Sequence, residues 1–161
     1  MKTNINKIVK IIAAVLICEL AGIVGSIFTT PSIPTWYASL SKPTFAPPNW
    51  LFAPVWTTLF ALMGISAYLV WSKGTKKKEV RIALVVFGIQ LLLNIFWSYL
   101  FFGLQNPLYA FFEIIILWSA IALTIFKFYK ISKNAALLLL PYIIWVSIAA
   151  TLNYYIWILN L

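Results

Sequence analysis

Eleven of the 12 cationic residues of this chain fall on one side of the membrane that its apolar segments define. Five such segments, each close to the roughly 20 residues that cross a hydrocarbon core of about 30 Å, occupy most of the 161 residues. They are predicted at 6–28, 49–72, 81–103, 107–127 and 134–159. Only Lys42 lies on the other side. Because positive charge is retained on the cytoplasmic side, we expect a multi-pass protein of the cell membrane with its N-terminus inside and its C-terminus outside.

Continuous apolar runs, without the alternation of barrel strands, predict helices. We therefore expect an all-α membrane protein, a five-transmembrane-helix bundle that forms a single domain over residues 1–161. Pro107 suits the first turn of the fourth helix, and Pro141 is expected to kink the fifth. The small residues Ala21 and Gly25 allow close helix approach, and their face is a candidate dimer interface.

The residues that the chain lacks exclude several kinds of chemistry. It contains no histidine, no aspartate, three glutamates and one cysteine, Cys18. A Ser-His-Asp triad, a His/Cys zinc site, an axial haem histidine and an internal disulfide are therefore impossible. We expect no metal and no resident cofactor. The net charge of +9 is explained by topology and by contacts with anionic lipid headgroups, so no nucleic-acid partner is expected.

The segment between the first two spans, residues 30–50, is rich in proline and aromatic residues. Six of the eight prolines lie at positions 31, 34, 43, 47, 48 and 54. Since proline fixes φ and lowers the entropy cost of ordering, we expect a structured outer loop that covers the bundle. The alternative is a rigid spacer at the membrane interface.

Polar and amphipathic side chains recur at one depth in the outer half of the bundle. Trp56, Trp97 and Glu113 each lie about 9 Å inside the outer helix ends. Asn94 lies one turn from Trp97 and Ser98. Such groups must face the bundle interior or a cavity, so helices 2, 3 and 4 are expected to share a polar layer. Either hydrogen bonds between helices or a cavity for a large, flat, mostly apolar ligand would explain this layer.

Two of the three acidic residues fall within predicted spans. Neither Glu19 nor Glu113 has a basic residue at comparable depth. Each is expected to be protonated or hydrogen-bonded to neutral partners, with a structural hydrogen bond favoured, or alternatively to serve proton coupling or recognition of a cationic substrate. Glu79 is expected to be a solvated loop charge, and Cys18 a small core hydrophobe.

Several motifs in order resemble one known family. The run WYASLSKPTFAPPNW at 36–50 and the run PVWT at 54–57 resemble a loop and a second helix of the tryptophan-rich sensory protein/translocator protein family, TspO/MBR, also called the peripheral-type benzodiazepine receptor family. Residues 90–103 and 141–154 are similar to its third and fifth helices. The resemblance runs from about 22 to 160 and covers all five spans.

The resemblance implies a fold and a ligand class. It implies a membrane bundle of five helices, commonly a homodimer, that binds porphyrins, cholesterol and benzodiazepine-site ligands such as isoquinoline carboxamides under the first outer loop. Porphyrin would be a ligand and not a cofactor. By position, the implied pocket residues are Tyr37, Pro47, Trp56, Phe60, Asn94, Trp97, Ser98, Trp145, Ala149 and Leu152.

One pattern departs from the family. Its animal members carry a cholesterol-recognition pattern at the end of the fifth helix that finishes with Lys or Arg. Here residues 152–161 contain no Lys or Arg, so the pattern is incomplete, which argues against cholesterol binding. Looser matches occur at 62–73 and 123–133.

Three functions are compatible with these features. The first is a membrane receptor, sensor or carrier for porphyrins and related flat hydrophobic ligands. The second, also implied by the resemblance, is an enzyme that degrades porphyrin in a light- and oxygen-dependent reaction through Trp56 and Trp145. The third is a proton-coupled small-molecule transporter that uses Glu19 or Glu113.

Overall fold

The computed structural model describes residues 2–161, with side chains from Ile5 onward, so the side chain of Lys2 lies outside the described part. Five helical segments are long and apolar enough to cross a membrane, which confirms the five-helix membrane bundle. The helices are α1 (Lys2–Ser32), α2 (Asn49–Trp71), α3 (Lys78–Ser98), α4 (Pro107–Ile131), α5 (Lys133–Leu138) and α6 (Leu140–Leu159). The last two together form the fifth span.

The fifth span breaks where Pro141 was expected to kink it. The backbone leaves α-helical hydrogen bonding at Leu139, whose N–H donates to the carbonyl of Ala136 at 3.1 Å. Pro141 then occupies the first turn of α6. Proline has no N–H for the preceding turn, and its ring clashes with the carbonyl four residues back, so the helix restarts instead of continuing.

The first span is longer than predicted. Instead of ending near residue 28, α1 reaches Ser32 and continues through a π-helical turn, Ile33–Tyr37. The wide π turn accommodates Pro34, and buried packing of Tyr37 against Phe101 and Phe102 holds the extension. Only residues 40–48 of the expected loop lie outside helices.

Two hydrogen bonds tie the remaining loop to the end of α6. The N–H of Ser41 donates to Oδ1 of Asn160 at 2.9 Å, and Nδ2 of Asn160 donates to the carbonyl of Ser41 at 2.9 Å. Phe45 packs edge-on against Tyr155, with ring centroids 5.4 Å apart. Lys42 donates to the carbonyl of Leu40 at 3.0 Å. The loop is therefore anchored along its length.

Glycines set how closely the helices approach α1, which packs against α2 and α3. A Cβ at Gly64 on α2 would collide with the backbone of Val15. A Cβ at Gly25 would lie 3.2 Å from the hydroxyl oxygen of Ser98 on α3. Gly25 and Ala21 are buried inside the protomer, so the expectation that their face forms a dimer interface is wrong.

Gly64→Ala is expected to destabilise the protein by about 1–3 kcal/mol, because the added methyl group forces α1 away from α2. Gly88→Ala on α3 is the matched control, since a Cβ there meets nothing within 4 Å. Thermal unfolding in a neutral detergent measures both variants. Equal unfolding temperatures for the two variants would contradict the close contact.

Candidate ligand cavity

A cavity of about 300 Å³ lies in the outer half of the bundle. Four helices contribute to its wall, together with the π turn after α1 and a second π turn, Tyr99–Gly103, after α3. The indoles of Trp56 and Trp145 are among the lining groups. The α1 residues that line it run from Glu19 near mid-membrane to Thr30 towards the outer side. On α2 the lining begins at Asn49, the first residue of that helix. The cavity thus spans about half of the membrane.

Most of the residues implied as pocket residues meet at this cavity. Seven of them line it: Trp56, Phe60, Asn94, Trp97, Ser98, Trp145 and Ala149. Tyr37 and Leu152 line a smaller adjoining space of about 20 Å³, which also touches Trp97 and Ala149. Pro47 lines neither space. Phe52, which the sequence did not single out, lines both.

Aromatic rings form the wall between the cavity and the core. Trp56 and Phe60, one turn apart on α2, have ring centroids 5.7 Å apart. Phe52 meets the ring of Trp145 on α6 edge-on at 6.1 Å. Helical spacing places residues 52, 56 and 60 on one face of α2, which is the signal that would have identified Phe52.

A buried hydrogen-bond network joins α3 to α6 behind this wall. The hydroxyl of Tyr142 donates to Oε1 of Gln90 at 2.9 Å and accepts from Nδ2 of Asn94 at 3.0 Å. Gln90 and Tyr142 are both 1% exposed. The polar residues Gln90 and Asn94 of α3 therefore form hydrogen bonds between helices, and Asn94 also reaches the cavity.

Three tryptophans within the spans, Trp97, Trp118 and Trp145, differ in whether their indole N–H groups have a hydrogen-bond partner. Trp97 donates to Oδ1 of Asn153 at 3.1 Å, and Asn153 donates to the carbonyl of Pro107 at 2.7 Å. Trp118 donates to the hydroxyl of Ser147 at 2.9 Å. Within the described residues, the buried Nε1 of Trp145 has no partner. Hydrogen bonding between helices thus explains how the indole N–H groups of Trp97 and Trp118 are accommodated within the membrane, but it does not explain that of Trp145.

The expected polar layer does not include α4. No residue of α4 in the described chain lines the cavity. Glu113 is 5% exposed, and neither of its carboxyl oxygens has a partner within residues 5–161. Equal depth along two helices does not make two side chains face each other, because the helices also rotate about their axes. The expected structural hydrogen bond of Glu113 is therefore absent, and of the two intramembrane acids only Glu19 lines the cavity.

The cavity opens between α1 and α2. Lining residues on both helices are exposed, namely Ile23, Ser26 and Thr30 on α1 and Asn49, Ala53 and Thr57 on α2. Both segments lie within helices that are long and apolar enough to cross a membrane.

Comparison with known proteins identifies a single family. The sequence profile of the TspO/MBR family matches residues 14–158. A tryptophan-rich protein TspO from Archaeoglobus fulgidus is 48% identical over 153 residues, which are 95% of this chain and 98% of the relative. One of the same name from Chlorobaculum tepidum is 47% identical over 144 residues, 89% of this chain and 91% of the relative. The human translocator protein is 39% identical over 141 residues, 86% of this chain and 83% of the relative.

Proposed function

This chain belongs to the TspO/MBR family, and on that premise we propose that it is an integral membrane receptor, sensor or carrier for porphyrins and related flat hydrophobic ligands. Benzodiazepine-site ligands such as isoquinoline carboxamides belong to the same class. The observation that carries the proposal is the cavity of about 300 Å³ with the indoles of Trp56 and Trp145 in its wall.

The shape and chemistry of the cavity suit such ligands. Its volume falls at the lower end of the range of small-molecule sites, and such sites combine aromatic walls with a few polar groups. Flat aromatic ligands gain from stacked and edge-on contacts with indole and phenyl rings. The opening between α1 and α2 supports entry from the lipid phase, where a hydrophobic ligand is concentrated.

Trp145→Ala is expected to weaken protoporphyrin IX binding by about tenfold, because it removes a large aromatic contact from the cavity wall. Trp118→Ala is the matched control, since Trp118 lies on α4, which contributes no lining residue in the described chain. A dark titration followed through quenching of the remaining tryptophans measures both affinities. Unchanged affinity in folded Trp145→Ala protein would remove the cavity from the proposal.

A second candidate function is photo-oxidative degradation of the bound porphyrin. The observation that favours it is that Trp56 and Trp145 line the same cavity from different helices. Both oxidisable indoles would therefore lie against one ligand.

Illumination separates the two functions. If the protein degrades porphyrin, the absorbance of bound protoporphyrin IX is expected to fall in light and oxygen, and Trp56→Phe and Trp145→Phe are each expected to slow that loss. Phenylalanine keeps an aromatic wall but is harder to oxidise than tryptophan. Bleaching at the same rate in both variants and in free porphyrin would leave only the binding function.

We also propose that the N-terminus lies in the cytoplasm and the C-terminus outside, which the distribution of lysines supports. Cys18 is 1% exposed, so an introduced cysteine reports its own side of the membrane. In intact cells, a membrane-impermeant maleimide is expected to label Thr44→Cys and to label Lys76→Cys only after lysis. The reverse pattern would invert the topology.

A further inference from the structure

Glu19 lies at the closed inner end of the cavity. One turn further in, the contact between Gly64 and the backbone of Val15 brings α1 against α2. One turn further out, the ring of Phe60 packs on Gly22, where a Cβ would lie 2.6 Å from it. Of the described residues that line the cavity, Glu19 alone has an ionisable side chain.

Among residues 5–161, no group neutralises the Glu19 carboxyl, which has neither a hydrogen-bond nor an ion-pair partner there. The preceding cation on α1, Lys10, is nine residues or about 13 Å away along the helix, where it lies over the ring of Trp71. A carboxylate at membrane depth is costly unless it is paired, so a positive group on a ligand would stabilise the ionised form of Glu19.

Several neutral polar groups of the cavity also present hydrogen-bond acceptors to a ligand. The hydroxyls of Ser26, Thr29 and Thr57 each donate to a backbone carbonyl of their own helix, at 2.7, 3.1 and 3.0 Å. Their oxygens therefore offer only lone pairs to a ligand. Asn94 uses one of its two amide N–H groups on Tyr142, which leaves its carbonyl oxygen as an acceptor and its second N–H as a donor. The inner and middle parts of the cavity are thus rich in acceptors.

Further donors lie nearer the outer end and in the wall. Asn49 carries an amide group at the outer end of the cavity, and the indoles of Trp56 and Trp145 are in the wall, where the Nε1 of Trp145 has no partner within the described residues. Ser98 and Thr30 carry hydroxyls that can either donate or accept. The two ends of the cavity therefore differ. The acidic group of Glu19 lies at the inner end, and the amide of Asn49, which has no hydrogen-bond partner among residues 5–161, lies at the outer end.

We propose that the cavity selects aromatic ligands that carry a cationic group, a protonated amine, which pairs with Glu19 at the inner end while the flat body packs between Trp56 and Trp145. The inference rests on the proposed function, since it uses the same cavity, and it names a ligand class and a specificity-determining residue within it. Acidic substituents are excluded from the inner end and lie towards Asn49 at the outer end of the cavity.

Two pyrene derivatives of the same shape test this selection. The probes are 1-pyrenemethylamine, which is cationic at neutral pH, and 1-pyrenemethanol, which is neutral. Wild-type protein in a neutral maltoside detergent is expected to bind the amine about tenfold more tightly than the alcohol, because a hydrogen bond to a charged group is stronger than one between neutral groups. Energy transfer from tryptophan to pyrene gives both dissociation constants.

Glu19→Gln is expected to reduce the tenfold preference to about twofold or less, since glutamine keeps the shape but not the charge. The control is Glu79→Gln, which removes an equal charge from the first turn of α3, outside the cavity. Absence of a preference in the wild type, an equal preference in Glu19→Gln, or no saturable binding of either probe would overturn the inference.

Protoporphyrin IX titrated into the same samples keeps this test separate from the proposed function. Retained amine preference without porphyrin binding would overturn only the porphyrin proposal. Porphyrin binding without amine preference would overturn only the selection by Glu19. Saturable porphyrin binding by Glu19→Gln also shows that this variant is folded.

Discussion

Polar side chains inside a membrane must find a partner within the protein, and this requirement organises the bundle. Tyr142 satisfies Gln90 and Asn94 together, and Asn153 joins Trp97 to the start of α4. Each bond fixes the rotation of one helix against another, because a slipped helix would leave amide groups unpaired in hydrocarbon. The core of the bundle is therefore held in one register, with the cavity beside it.

Because of the same requirement, polar groups that have no hydrogen-bond partner in the protein indicate where a ligand could bind. In the described chain these include the indole N–H of Trp145 and the carboxyl of Glu19, both on residues that line the cavity. Glu113 also lacks a partner but lies away from the cavity, and we have no physical account of how it is accommodated. Two groups without a partner, on Trp145 and Glu19, thus adjoin the open space of the cavity, while α1 and α2 touch closely where Val15 meets Gly64 and where Gly22 meets Phe60.

Much of this arrangement could be predicted from the sequence, because hydropathy and charge along the chain determine which residues lie in each span. The five spans and the break before Pro141 required only the length and proline rules. Rotation about the helix axis is a property of the packed bundle, so the depth of Glu113 was predicted without its facing direction. The extension of α1 through Pro34 depends on packing of Tyr37, which no local pattern reports. Phe52 had a detectable signal in its spacing from Trp56.

The location of the ligand is the central claim, and alkylation protection tests it most directly. In a Cys18→Ala background, Thr57→Cys places one thiol on the exposed edge of the cavity, and Ser119→Cys places one on the exposed side of α4. The rate of reaction with N-ethylmaleimide is measured in detergent with and without saturating protoporphyrin IX in the dark. The account predicts slower alkylation at position 57 and an unchanged rate at position 119. Equal effects at both positions, or none at position 57, would contradict it.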